Sequence, residues 1–93
     1  MASRVPRFQL VFHVPMSYVE ACKKAIYAVG AGSYGNYCEC SWTAAGTTQF
    51  RPLNGANPSI GTVGQLEKVE EARVETLCVG EDVVRQAVQA LKQ

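Results

Sequence analysis

Residues 7–30 read RFQLVFHVPMSYVEACKKAIYAVG and predict a strand that leads directly into a helix. Over the first eight residues the apolar side chains fall on alternate positions, as in a strand with one buried face: Phe8, Leu10, Phe12 and Val14. Pro15 ends the strand, because proline has no N–H with which to continue a central ladder. The stretch therefore predicts a first strand over 7–14 with a helix after it.

That helix is predicted over residues 16–30. Ser17 and Glu20 have the spacing of a capping box, in which each side chain satisfies a free backbone N–H at the helix start. Gly30 stands at the far end, where a residue with positive φ commonly closes a helix. The apolar positions between these ends share one face and predict the side that packs on the sheet: Val19, Cys22, Ile26 and Val29.

The next stretch, VGAGSYGNYCECSW (29–42), contains G-x-G-x-x-G at Gly30, Gly32 and Gly35. A dinucleotide fingerprint needs the order strand, glycine turn, helix, so that a helix N-terminus faces the phosphates. Here the helix comes first, and its carbonyl end disfavours anions. We therefore expect these glycines to close the helix and turn the chain. The alternative is a backbone surface that approaches a ligand or a neighbouring subunit.

Beyond the glycines, the alternation in YCECSW predicts a second strand over 37–42, with Cys38, Cys40 and Trp42 on one face and both thiols buried. A loop is predicted over 43–49, a short extended piece over 50–53 and a turn-rich connection over 54–61. The segment KVEEARVETLCV (68–79) predicts a long strand with Cys78 on its apolar face. GEDVVRQAVQALKQ (80–93) predicts a second amphipathic helix.

This element order predicts an α+β architecture, the ferredoxin-like split βαβ sandwich. We expect residues 1–93 to form one domain. The chain stops at Gln93, before the fourth strand of a complete unit, so the final strand is expected to be short or absent. The chain is then either a fragment of a longer protein or a sheet whose open edge favours pairing with another chain.

Composition narrows the function classes. The 93 residues carry a formal net charge of +1, without the basic footprint of a nucleic-acid binder. We find no apolar run long enough to span a membrane and no secretory h-region. The four cysteines are therefore expected as reduced thiols in the cytoplasm rather than as disulfides.

Three stretches in this order resemble the insert domain of the Ngg-interacting-factor-three-like family and its small free-standing homologues: residues 29–42, FRPLNGANPSIG (50–61) and EKVEEARVE (67–75). The resemblance implies a fold similar to PII signalling proteins and to CutA divalent-cation-tolerance proteins, and a homotrimer. Two departures are the residue at Thr48, where the family usually has a glycine, and the end of the chain before the family's last segment and strand. The dinuclear metal site of larger members lies in a different domain.

The resemblance also implies a non-enzymatic regulatory or ligand-binding module, with a small ligand held between subunits near a flexible loop. The candidate ligand-binding residues are Gly46, Arg51, Asn57, Gly61 and Arg73. Arg51 and Asn57 suit a small anionic metabolite, whereas the alternative for this connection is a purely structural turn assembly. With one His and one Asp in the whole chain, no nucleophile–base–acid set is present, and we expect no enzyme.

Two other functions stay open. One is a metal-tolerance protein similar to CutA, in which a divalent cation is held by thiol, imidazole or carboxylate groups: His13, Cys38, Cys40, Glu70 and Glu75. For the glutamates the alternative is a solvated strand face, and for His13 a surface or interface position. The other function is a fragment that covers the dinuclear metal site of a larger family member.

Overall fold

The computed structural model describes residues 5–58 and 60–92. The elements follow the order β1 (Arg7–Pro15), a single 3-10 turn (Met16–Tyr18), α1 (Val19–Ala28), β2 (Trp42–Phe50), β3 (Glu67–Val79) and α2 (Glu81–Leu91). None of the helices in the described part of the chain is long and apolar enough to cross a membrane. This order confirms the predicted α+β class.

The three strands form one antiparallel sheet in the order β1-β3-β2. Among the described residues this is the strand order of three of the four strands of a ferredoxin-like unit. The C-terminal part of β3 pairs with β1 over Glu71–Val79, its N-terminal part pairs with β2 over Glu67–Glu75, and residues 71–75 pair with both. The β2–β3 hairpin therefore extends beyond the end of β1, and the chain is elongated, with extents of 56 × 24 × 20 Å.

Both helices pack against one face of the sheet. One buried cluster joins Ile26 of α1, Ala87 of α2 and Cys78 of β3, with Phe8 and Leu10 of β1 packed against it. A second cluster joins Val19 to Ala72 and Val74. Each fully buried aliphatic side chain of this kind stabilises the fold by about 1.5–3 kcal/mol. The alternation predicted for β1 and β3 is confirmed by these contacts.

The second strand lies later in the chain than the alternation in YCECSW predicts. Residues 37–41 are not a strand, because the chain bends at Glu39, whose φ is +56°. The strand begins at Trp42 and includes the residues predicted as a loop. Its pairing with β3 outweighs the weak strand preference of Ala and Gly at positions 44–46, since β propensity depends strongly on context.

Only the C-terminal end of α1 agrees with the prediction. The N-cap position falls on Tyr18 after a 3-10 turn, so the capping box predicted at Ser17 and Glu20 is wrong. At the other end Gly30 has φ +102°, as predicted. Its N–H donates to the carbonyl of Tyr27, and the N–H of Ala31 donates to that of Ile26, which is the Schellman arrangement of a helix C-terminus.

Candidate ligand-binding site

The open face of the sheet is the side opposite the helices, formed by alternate residues of the three strands. At its centre Arg73 of β3 lies between His13 of β1 and Ala44 of β2. One rung away, Glu75 lies between Val11 and Trp42. Because directly paired residues in an antiparallel sheet project to the same side, these groups form one continuous surface. None of the described helices covers it.

Polar and aromatic groups meet in a shallow cleft on this open face. The cleft has a volume of about 310 Å³, and its lining includes His13, Trp42, Gly46, Glu71 and Arg73. Arg73 Nη2 lies 2.7 Å from Glu75 Oε1, which orients the guanidinium along the strand. An arginine has five N–H donors, so this pair leaves donors available to a ligand. The structure thus places the predicted residues Gly46 and Arg73 beside His13.

A second cleft of about 500 Å³ lies at the base of the hairpin connection and is lined in part by Phe50, Arg51 and Asn57. Arg51 Nη1 donates a 2.8 Å hydrogen bond to the carbonyl of Gly64, so its guanidinium also ties the connection together. Gly61 has φ +88°, and a Cβ placed there would lie 2.5 Å from Glu67 Cγ. Of the five predicted ligand-binding residues, Gly46 and Arg73 therefore line the open-face cleft and Arg51 and Asn57 line the hairpin cleft. Gly61 is in the lining of neither.

The five predicted metal ligands are not brought together. Glu75 and His13 lie on the open face, whereas Glu70 lies on the opposite face and accepts a 2.8 Å hydrogen bond from Thr47 Oγ1. Cys38 and Cys40 lie in the connection before β2. Among residues 5–58 and 60–92 no group of three His, Cys, Asp or Glu side chains has the geometry to hold a metal ion.

The glycines after α1 close the helix and turn the chain. The N–H of Gly32 donates a 2.7 Å hydrogen bond to the carbonyl of Leu77, and the N–H of Cys40 donates a 2.9 Å bond back to Gly32. A Cβ on Gly32 would lie 2.7 Å from the carbonyl oxygen of Cys40. Only glycine permits this approach, so the motif serves backbone packing at the carbonyl end of a helix.

The cysteines differ from the prediction. Cys38 and Cys40 are both exposed, so their expected burial is wrong, because the bend at Glu39 replaces the strand on which that expectation rested. Trp42, predicted on the same buried face, is 55% exposed on the open face. Cys22 is half-buried, and Cys78 is fully buried, as its position on the apolar face of β3 predicts.

Several functional candidates were not found from the sequence. Trp42 and Thr48 line the open-face cleft because β2 includes residues 42–50, a range predicted mainly as loop. The two threonines at positions 47 and 48, followed by Phe50, could have indicated this strand, because β-branched and aromatic residues are enriched in strands. A third cleft, of about 660 Å³, lies between α1 and residues 33–39, and its lining includes Lys23, Tyr27 and Cys38.

Comparison with known proteins matches this chain to relatives that carry the same name. No protein-family model matches the chain. It is 45% identical over 67 residues to a GTP cyclohydrolase 1 type 2 homolog of Mycobacterium leprae, covering 72% of this chain and 17% of the relative. It is 43% identical over 72 residues to the homolog of Bacillus subtilis, covering 77% of this chain and 19% of the relative. The chain thus spans less than a fifth of each of these relatives.

These names correct one expectation. The chain was expected not to be an enzyme, but its relatives are named as homologues of an enzyme, so that expectation is wrong. The structure also matches a crystal structure described as a Bacillus cereus protein related to NIF3, with a TM-score of 0.79 and 34% identity, over 94% of this chain and 21% of that one. The resemblance inferred from the glycine motifs is therefore confirmed: the chain matches a domain-sized part of proteins of the Ngg-interacting-factor-three-like (NIF3) family.

Proposed function

We propose that the chain is a small-ligand-binding or regulatory module that assembles as a homotrimer and holds a small anionic ligand between subunits. The observation that carries the proposal is the open face, where the exposed side chains of Trp42 (55%) and Val11 (38%) flank the Arg73–Glu75 ion pair. Large apolar side chains exposed beside polar groups on one uncovered face are typical of an interaction surface. Contact with a neighbouring subunit would enclose the shallow cleft beside it.

The ligand proposal rests on the composition of that cleft. Arg73 supplies a planar guanidinium suited to phosphate or carboxylate oxygens, and Trp42 supplies a flat aromatic surface. His13 lies beside Arg73 in the cross-strand register and adds a second nitrogen donor. An anion with an attached ring, such as a nucleotide, fits this pairing of charge and aromatic surface.

The names of the relatives extend the proposal to an enzyme. We propose that the module contributes ligand binding to a protein with GTP cyclohydrolase-type activity, and that GTP is the first nucleotide to test. A cytoplasmic location stays a prediction from the sequence. The open-face cleft, rather than the hairpin cleft, is the preferred site, because it brings His13 and Trp42 together with the guanidinium of Arg73.

Thermal unfolding with added GTP or inorganic phosphate tests the site. A ligand present at about 100 times its Kd stabilises by about 2.7 kcal/mol, which is a rise in Tm of about 10 °C or more for a chain of this size. Arg73→Gln is expected to remove the shift, whereas Arg85→Gln on α2 is expected to keep it. The proposal fails if neither compound raises the Tm, or if both variants respond as the natural sequence does.

A further inference from the structure

Two of the four cysteines are exposed, and they are two residues apart. Cys38 and Cys40 are both exposed in the connection before β2, whereas Cys22 is half-buried and Cys78 fully buried. The fold and the proposed ligand site make no use of either exposed thiol. Exposed free thiols are the ones able to react with other thiols and disulfides.

The backbone between the two thiols is bent. Glu39 has φ +56°, an uncommon conformation for a residue other than glycine. In an extended strand the Cα atoms of residues i and i+2 lie about 6.6 Å apart, at the far limit for a disulfide. Cys40 Sγ lies 3.7 Å from the carbonyl oxygen of Cys38, so the bend at Glu39 keeps the second thiol beside the backbone of the first cysteine.

The surrounding backbone holds this bend in place. On one side, Tyr34 and Tyr37 exchange two 2.9 Å backbone hydrogen bonds, which close a tight hairpin just before Cys38. On the other side, the N–H of Cys40 donates to Gly32, and its carbonyl accepts a 2.7 Å bond from Thr76 Oγ1. Since both ends are anchored, the fold limits how far the two thiols can separate.

The number of available ligands favours a disulfide over a metal site. A structural zinc site takes four ligands, but no group of three metal-ligating side chains occurs in the described ranges 5–58 and 60–92. The cleft beside α1 that Cys38 lines also contains two lysines, Lys23 and Lys24, and two glutamates, Glu20 and Glu39, so the charges near the thiols balance. A disulfide needs only the two sulfur atoms.

We propose that Cys38 and Cys40 form a redox-active dithiol that reduces the disulfide of a small thiol compound. The thiolate of Cys38 attacks one sulfur of that disulfide, a mixed disulfide forms, and the first small thiol leaves with the proton lost by Cys38. The thiolate of Cys40 then attacks Cys38 Sγ, which closes the internal disulfide and releases the second small thiol. Two electrons and two protons pass from the protein to the small disulfide. Cys38 is the attacking residue, because it lines the open cleft beside α1.

Mass spectrometry of the 93-residue chain, equilibrated in mixtures of reduced and oxidised glutathione and quenched with acid, tests this proposal. Cleavage after Lys24 and Lys68 yields one peptide, residues 25–68, that contains both cysteines and neither of the others, because the Arg51–Pro52 bond resists cleavage. The natural sequence and the control Cys22→Ser are expected to yield this peptide lighter by two hydrogen atoms. Cys38→Ser and Cys40→Ser are expected to yield it with a single glutathione attached instead.

The same titration in denaturant measures the contribution of the fold. If the bend holds the thiols together, the equilibrium constant for ring closure is expected to fall by about tenfold on unfolding, because the effective concentration of one thiol at the other falls. The proposal is overturned if the folded natural sequence carries glutathione on both cysteines without closing, if it forms only disulfides between chains, or if unfolding leaves the closure constant unchanged.

Discussion

The hydroxyl of Thr76 donates a 2.7 Å hydrogen bond to the carbonyl oxygen of Cys40. Thr76 is 5% exposed and lies in the central strand β3, whereas Cys40 belongs to the irregular connection between α1 and β2. Next to this bond, the N–H of Gly32 donates to the carbonyl of Leu77. These two bonds fasten the connection to the edge of β3 just before β2 begins, so they set where β2 joins the sheet.

Removing that hydroxyl is expected to destabilise the fold. Thr76→Val keeps the shape of the side chain but leaves the Cys40 carbonyl without its donor, at an expected cost of about 1–2 kcal/mol in the free energy of unfolding. Thr47→Val is the matched control, because the Thr47 hydroxyl bonds to Glu70 at an exposed position. Urea unfolding curves of the two variants make the comparison, and equal costs would contradict the role of the Thr76 bond.

Three glycine substitutions separate backbone strain from steric overlap. Gly32→Ala combines φ +78° with a Cβ only 2.7 Å from a backbone oxygen, so we expect a loss of more than about 2 kcal/mol. Gly35→Ala has φ +57° but open space around it, which predicts a loss of about 1 kcal/mol. Gly46→Ala lies in a strand with open space and is expected to be nearly neutral. Thermal unfolding ranks the three, and a different order would contradict the geometry.

The open face is expected to be the surface through which subunits associate. Trp42→Lys replaces an exposed aromatic side chain of that face with a charge and is expected to lower the association constant by tenfold or more, about 1.4 kcal/mol or more. Val88→Lys is the control, because Val88 is 37% exposed on α2, in the other layer. Sedimentation velocity over a concentration series measures the change. Equal effects of the two substitutions would place the interface elsewhere.

Alkaline pH is expected to destabilise the fold through one thiol. Burial raises the pKa of Cys78 above its ordinary value of 9.0, so the folded chain keeps that thiol neutral. The unfolded chain loses the proton first, and the free energy of unfolding therefore falls as the pH rises above about 9. The stabilisation is fully present below that pH.

Cys78→Ala removes this titrating group, and its stability is expected to fall less steeply between pH 8 and pH 10 than that of the natural sequence. Cys22→Ala is the control and is expected to keep the steeper fall, because it leaves Cys78 in place. The measurement is urea unfolding at a series of pH values. Identical slopes for all three proteins would show that Cys78 does not contribute.

The sequence predicted those elements whose side chains alternate or recur with one clear period. In β1 and in residues 72–78 of β3 the side chains that face the helices are apolar except for Thr76, and the glycine at the end of α1 has the positive φ that its position predicts. These are local signals, and the structure follows them. The prediction that the glycines close α1 and turn the chain was also correct, because it depended only on a helix preceding the motif in the sequence.

The position of β2 could not be predicted in this way. YCECSW alternates in sequence, but a single positive φ at Glu39 breaks the extended chain, and that conformation is set by the bonds of Cys40 to Gly32 and Thr76. The weak alternation at 42–50 becomes a strand only through its register with β3. Because the site residues Trp42 and Thr48 depend on that register, the open-face cleft was not found from the sequence.

Native mass spectrometry of the protein as purified from cells tests the central proposal most directly. The account predicts a trimer that carries the mass of a small anionic molecule, and a trimer without that mass for Arg73→Gln. A ligand-free monomer of the natural sequence at micromolar concentration would contradict the proposal that this chain is a ligand-binding module shared between subunits.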